Sequence, residues 1–98
     1  MKDTRENAIS AFQGWYGPKF TEFACIPDPQ VNHVWLVVGK QELKTKIRLL
    51  GAIIYLDKND TEEISALESL KNYPNGLMEV QDWIDEAGKK KIIDEASF

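Results

Sequence analysis

His33 and Cys25 are the chain's only histidine and only cysteine. Together they could form one nucleophile–base pair, the imidazole drawing a proton from the thiol across adjacent antiparallel strands. Nothing in their spacing demands that contact. Cys25 stands between Ala24 and Ile26, apolar surroundings that raise a thiol pKa and keep the group inert. A serine-type triad and a His-rich zinc centre both need more than one lone histidine. The expectation is a structural His33, no catalytic set and no enzyme. Asp57, Asn59, Thr61 and Glu68 fall at positions 1, 3, 5 and 12 of a calcium loop, but position 6, where the sharp turn needs glycine, is Glu62. No metal is therefore expected. No glycine-rich phosphate loop is present in the sequence, so no nucleotide cofactor is expected either.

Charged residues offer two further constellations. Lys44, Lys46 and Arg48 alternate, so on a strand they share one face. On a helix Lys40, Lys44 and Arg48 align instead. Either way a positive stripe results, able to meet phosphate, a carboxylate ligand or an acidic partner. The plainer reading is a solvated outer face on which lysine discourages edge pairing. Glu79, Asp82 and Glu86 align on one side of a predicted helix, with Asp85 beside them. That face is an acidic docking surface for a basic protein, steered by charge, or simply a solubilising helix face. Trp15, Tyr16 and Trp83 are candidate aromatic anchors at an interface, or core; Trp35 reads as core.

Composition bounds the rest. The 98 residues form one domain, spanning 1–98. The hydrophobic fraction of 43% and charged fraction of 29% are those of a globular protein. A net charge of −4 argues against nucleic acid, which needs a basic surface, and favours a basic protein partner. Self-association stays open. One cysteine makes no disulfide within the chain. The opening MKDTRENAIS lacks the apolar stretch of a signal peptide. No apolar run approaches the roughly 20 residues of a membrane helix. The cytoplasm is the expected compartment, with no membrane partner.

These residues must be positioned by a small set of elements. Residues 3–14 predict a helix, capped by Asp3 with Glu6 in a capping box. Residues 19–26 alternate as a strand ended by Pro27-Asp28-Pro29. Residues 31–38 are apolar on both faces and predict a central strand. A turn is expected at Gly39–Glu42. Residues 43–56 read as a strand on the strength of Ile, Thr and Tyr, with Gly51 as a bulge or break; a helix from Lys40 to Leu50 is the rival. A helix from Asp60 or Thr61 to Asn72 is expected, its inner face Ile64, Leu67 and Leu70. Residues 77–87 predict a last helix closed by Gly88, with a strand as rival. The tail from Lys89 is unassigned. The order helix, three strands, helix is similar to the double-stranded RNA-binding domain in topology alone. That family carries a basic run where its last helix starts. Here the start is Thr61-Glu62-Glu63, of opposite charge, and the family is not assigned.

The fold expected is α+β: an antiparallel sheet of three or four strands, with an N-terminal helix and one or two C-terminal helices packed mostly on one face. Its core should hold Phe12, Phe23, Val34, Trp35, Leu36, Ile47, Ile53, Ile64, Leu67 and Ile84. The function expected is a non-catalytic protein-interaction module: an inhibitor, an immunity-type protein or an accessory subunit. The alternative is a binding domain or small enzyme for an anionic small molecule. Its pocket would lie between sheet and helices and use His33, Trp35, Tyr55 and the basic stripe.

Overall fold

The computed structural model describes residues 2–96. Eight elements follow in order: α1 (Arg5–Tyr16), β1 (Glu22–Pro27), β2 (Val34–Glu42), β3 (Lys46–Tyr55), β4 (Asp60–Ile64), α2 (Ala66–Asn72), α3 (Met78–Glu86) and β5 (Lys91–Asp94). The fold is α+β. Strands β1 to β4 form an antiparallel sheet in chain order, and β5 adds in parallel against β3. The outer edge of β3 is thus divided: residues 46–49 pair with β5 and residues 51–55 with β4.

Alternation along the strands sorts the core into two layers. Trp35 and Val37 of β2 join Leu50, Ala52 and Ile54 of β3 beneath Ala8 and Phe12 of α1. Leu36, Val38, Ile47 and Leu49 point the other way and meet Leu77, Val80 and Trp83. β2 and β3 are therefore covered on both faces, which is why they read as nearly continuous apolar runs. Helices α2 and α3 share one face, as expected, and α1 takes the other.

Several boundaries move for identifiable reasons. Thr4 caps α1, its hydroxyl accepting the Asn7 N–H at 3.2 Å. Asp3, the predicted cap, instead reaches the sheet. It accepts the Trp35 indole N–H at 2.6 Å and the His33 N–H at 3.2 Å. A buried indole N–H needs an acceptor, and a cap has alternatives. The turn predicted at Gly39–Glu42 is strand, and the chain reverses at residues 43–45. Gly39 marks close packing: a Cβ there would lie 2.8 Å from the Phe12 ring. Gly51 marks close approach too. Its Cβ would stand 2.8 Å from the Ile64 carbonyl oxygen. Over residues 46–55 the strand prevails over the rival helix, and over residues 78–86 the helix prevails over the rival strand.

The helix predicted over residues 60–72 is two elements, β4 and then α2. Asn59 adopts φ 50° and turns the chain back after β3, a conformation asparagine tolerates better than most residues. Ser65 then caps α2, accepting the Glu68 N–H at 3.2 Å. The Ser65–Glu68 spacing was the true capping signal. The charge mismatch with the RNA-binding family thus falls on a strand. Burial also corrects the expected core. Phe12, Trp35, Leu36 and Ile47 are buried; Phe23, Val34, Ile53, Ile64 and Ile84 are half-buried; Leu67 is 38% exposed. The unassigned tail supplies β5. No helix of the described residues is long and apolar enough to cross a membrane.

Candidate functional site

The thiol and the imidazole are held apart. Register places Cys25 opposite Val37, while His33 sits in the turn before β2 at φ 65°. Four residues of strand separate them, roughly 13 Å. His33 Nδ1 lies 3.3 Å from Asp57. Cys25 packs against the α1 layer, and burial pushes its thiol up to about 11. The predicted calcium-loop residues are spread over the β3–β4 turn, β4 and α2. Among the described residues no three His, Cys, Asp or Glu side chains are grouped to hold a metal ion.

The basic stripe is broken. Lys46 and Arg48 share a face of β3, but Lys44 lies in the preceding turn, because the strand begins only at Lys46. Arg48 pairs with Glu95 and is half-buried. The pocket imagined for an anionic small molecule does not assemble. Lys46 and Tyr55 stand at opposite ends of β3, roughly 30 Å apart at strand rise. Trp35 lies under α1, its N–H already taken by Asp3.

The three aromatic candidates do not form one surface. Trp15 is 47% exposed on α1. Tyr16 is half-buried and its hydroxyl hydrogen-bonds Thr61 at 2.8 Å. Trp83 lies in the layer on the opposite side of the sheet and is buried, which removes it as an anchor. Lys40, which the sequence placed only in a helical alignment with Lys44 and Arg48, lies against it. Its buried Nζ lies 5.4 Å above the Trp83 ring. It also lies 2.6 Å from Glu22 and 3.3 Å from Glu42. Burial works to lower the Lys40 pKa, and the bonds from Glu22 and Glu42 outweigh it, so the net shift is upward. Glu42 is held below the usual carboxylate range by Lys90 and Lys40. The available signal was Glu42 two residues after a lysine in an apolar strand, since residues at that spacing share a face.

One surface does gather exposed apolar groups. Leu67, Leu70, Lys71 and Pro74 face Met78, Gln81 and Asp82 across an open groove of about 600 Å³ between α2 and α3. Met78 is 63% exposed and Leu67 38%. Tyr73, 43% exposed, stands on the turn joining the two helices and also borders a smaller apolar cleft of about 80 Å³. The four predicted carboxylates divide around this groove. Asp82 lines it, and Asp85 accepts a hydrogen bond from the lining Gln81 at 2.8 Å. Glu79 acts on the β1 side, where its charge helps raise the Cys25 pKa. Glu86 is exposed at the end of α3. The helix reading placed the four carboxylates on or at the end of α3, but the groove beside Asp82 needed the α2–α3 pairing, which no local pattern encodes. A comparison with known proteins finds no matching family model, no matching curated protein and no matching solved structure.

Proposed function

We propose that this protein is a non-catalytic binding module that receives a basic amphipathic helix of a partner protein in the α2–α3 groove. An inhibitor, immunity-type protein or accessory subunit acts in this way. The carrying observation is the placement of exposed apolar side chains. Of five exposed large hydrophobics among the described residues, Leu67, Tyr73 and Met78 lie on this one helical hairpin. Scattered apolar residues need no explanation, whereas a cluster rimmed by polar groups marks an interaction surface. The hairpin as a whole is acidic, residues 66–86 carrying five carboxylates and one lysine, with Asp82 and Lys71 lining the groove itself. That charge selects a basic partner and speeds its approach.

A nine-residue α3 is roughly 13 Å long at helical rise. It accommodates about two turns of a bound helix, a contact at the small end of protein interfaces. Micromolar affinity is therefore expected. The lone cysteine suits a reducing compartment, and we place the module in the cytoplasm.

The test uses a synthetic helix with a leucine stripe flanked by lysines. Its nuclear magnetic resonance footprint on the labelled protein is expected at Leu67, Leu70, Met78 and Asp82. Leu67→Ser with Met78→Ser, both solvent-exposed, should abolish binding with the fold intact. Asp82→Lys should weaken it most at low salt. A glutamate-flanked version of the same peptide should not bind. A footprint elsewhere, or indifference to the serine pair, overturns the proposal.

A further inference from the structure

The divided edge of β3 creates a second charged site, opposite in sign to the groove. β5 delivers Lys89, Lys90 and Lys91 to the β2–β3 turn, which carries Lys44 and leads into Lys46. The junction is fixed by the Lys91 N–H, which donates to the Thr45 carbonyl at 3.1 Å. Register makes Lys46 and Lys91 direct partners. Paired residues of parallel strands share a face, so the two lysines leave the sheet side by side.

Like charges directly opposite one another destabilise a sheet. Among the described residues no carboxylate pairs with either lysine. Lys90 is matched by Glu42 at 2.7 Å, and Arg48 takes Glu95. Lys44, Lys46, Lys89 and Lys91 form no ion pair among the described residues. Four unmatched ammonium groups are thus concentrated where the β2–β3 turn meets the start of β5, two in loops and two at strand ends, in a protein of net charge −4.

We propose that this cluster binds a compact oligophosphate. The side chains are all lysine, compact point charges that bind phosphate oxygens without fixing one geometry, and four of them together favour an anion of high charge density. Compactness follows from the surroundings. A nucleic-acid track needs an extended basic stripe, and this cluster is bordered by Glu42 and by the acidic end of α3. A small polyanion stays within the cluster, where screening over about 8 Å at physiological salt hides the distant carboxylates.

Tripolyphosphate is the probe, added to the full chain at low and at physiological ionic strength. Amide shifts are expected at residues 44–46 and 89–91. Affinity should fall roughly tenfold in Lys46→Gln with Lys91→Gln, since a contact at the surface is modest. Lys58→Gln, on the β3–β4 turn, should leave affinity unchanged. Without ligand the double variant should melt at least as high as the wild type at low salt, because the repulsion is gone. Tripolyphosphate should raise the wild-type midpoint more than that of the variant. Lys44→Gln with Lys89→Gln, both in loops, provides the same comparison should the strand pair fold poorly. Shifts spread over all lysines, or equal affinity in both double variants and the wild type, overturn the proposal. A short DNA duplex and vesicles containing a phosphoinositide are run alongside. Binding of either through these lysines, about a hundredfold tighter than tripolyphosphate at matched salt, overturns the compact ligand in favour of nucleic acid or membrane.

Discussion

At the scale of single residues, polar groups inside the sheet layers do most of the specifying. Lys40 is the clearest case: its side chain is buried, and its ammonium stands over the Trp83 ring and is shared by Glu22 and Glu42. Lys40→Met keeps the stem and removes the charge, and is expected to cost about 1 kcal/mol or less. Lys40→Ala also loses the packing, and about 2 kcal/mol is expected. Chemical denaturation of the two variants separates these contributions; equal losses would show that the charge, not the stem, holds Trp83. Asp3 carries a pH dependence. Bonds from the Trp35 indole and the His33 N–H hold its carboxyl below its ordinary value. A group depressed on folding stabilises above its unfolded pKa, and that contribution is lost as pH falls through the folded value. Asp3→Asn should therefore lower stability at neutral pH and flatten the acid limb below about pH 4. Circular dichroism melts across that range provide the measurement, and an unchanged acid limb would assign the acid sensitivity elsewhere.

At the scale of elements, glycines record where backbones approach. A Cβ at Gly51 would press on the Ile64 carbonyl and stand 3.3 Å from the Ala66 nitrogen, so β4 and the start of α2 must shift. A Cβ at Gly76 meets only the Ile26 side chain, which can rotate away. Gly51→Ala should thus cost about 1–3 kcal/mol and Gly76→Ala distinctly less, read from thermal midpoints. The sequence made β2, β3, α1 and α3 legible because their apolar periods are long enough to count. β4 escaped notice because two glutamates and a threonine on an edge strand resemble the first turn of a helix. β5 escaped because its meaning depends on a parallel partner more than forty residues away. That Glu79, Asp82, Asp85 and Glu86 belong to one helix was visible from spacing alone. Its groove and the lysine junction were not, since both arise where elements distant in sequence are brought together.

At the scale of the whole molecule, charge is distributed in regions. The α2–α3 hairpin is acidic, the β2–β3 and β5 junction is basic, and the sheet's outer strands are guarded. Arg5 donates to the Phe23 carbonyl of β1 at 3.0 Å, while β4 carries Asp60, Glu62 and Glu63. Charges on edge strands discourage pairing with another copy. The protein should remain monomeric at neutral pH and associate as pH approaches its pI of about 4.9, where net repulsion vanishes. Light scattering across that range is the check; a dimer at neutral pH and low salt would mean that the acidic and basic regions attract copies more strongly than net charge separates them.

The divided edge of β3 also sets which part of the molecule opens first. β5 is four residues long and held on one side only. Asp94 within it accepts the Ser65 hydroxyl at 2.6 Å and the Ala66 and Leu67 N–H groups at 3.2 and 3.1 Å. Detaching β5 therefore frees the Ala66 and Leu67 N–H groups at the same moment, leaving only the Ser65 cap on Glu68, and β5 and the first turn of α2 form one cooperative unit of local unfolding. In native-state hydrogen exchange, Ala66, Leu67 and the β5 amides should share one opening free energy, well below that of β2. Exchange of Ala66 as slow as that of Val37 would show that α2 stays docked without its C-terminal latch.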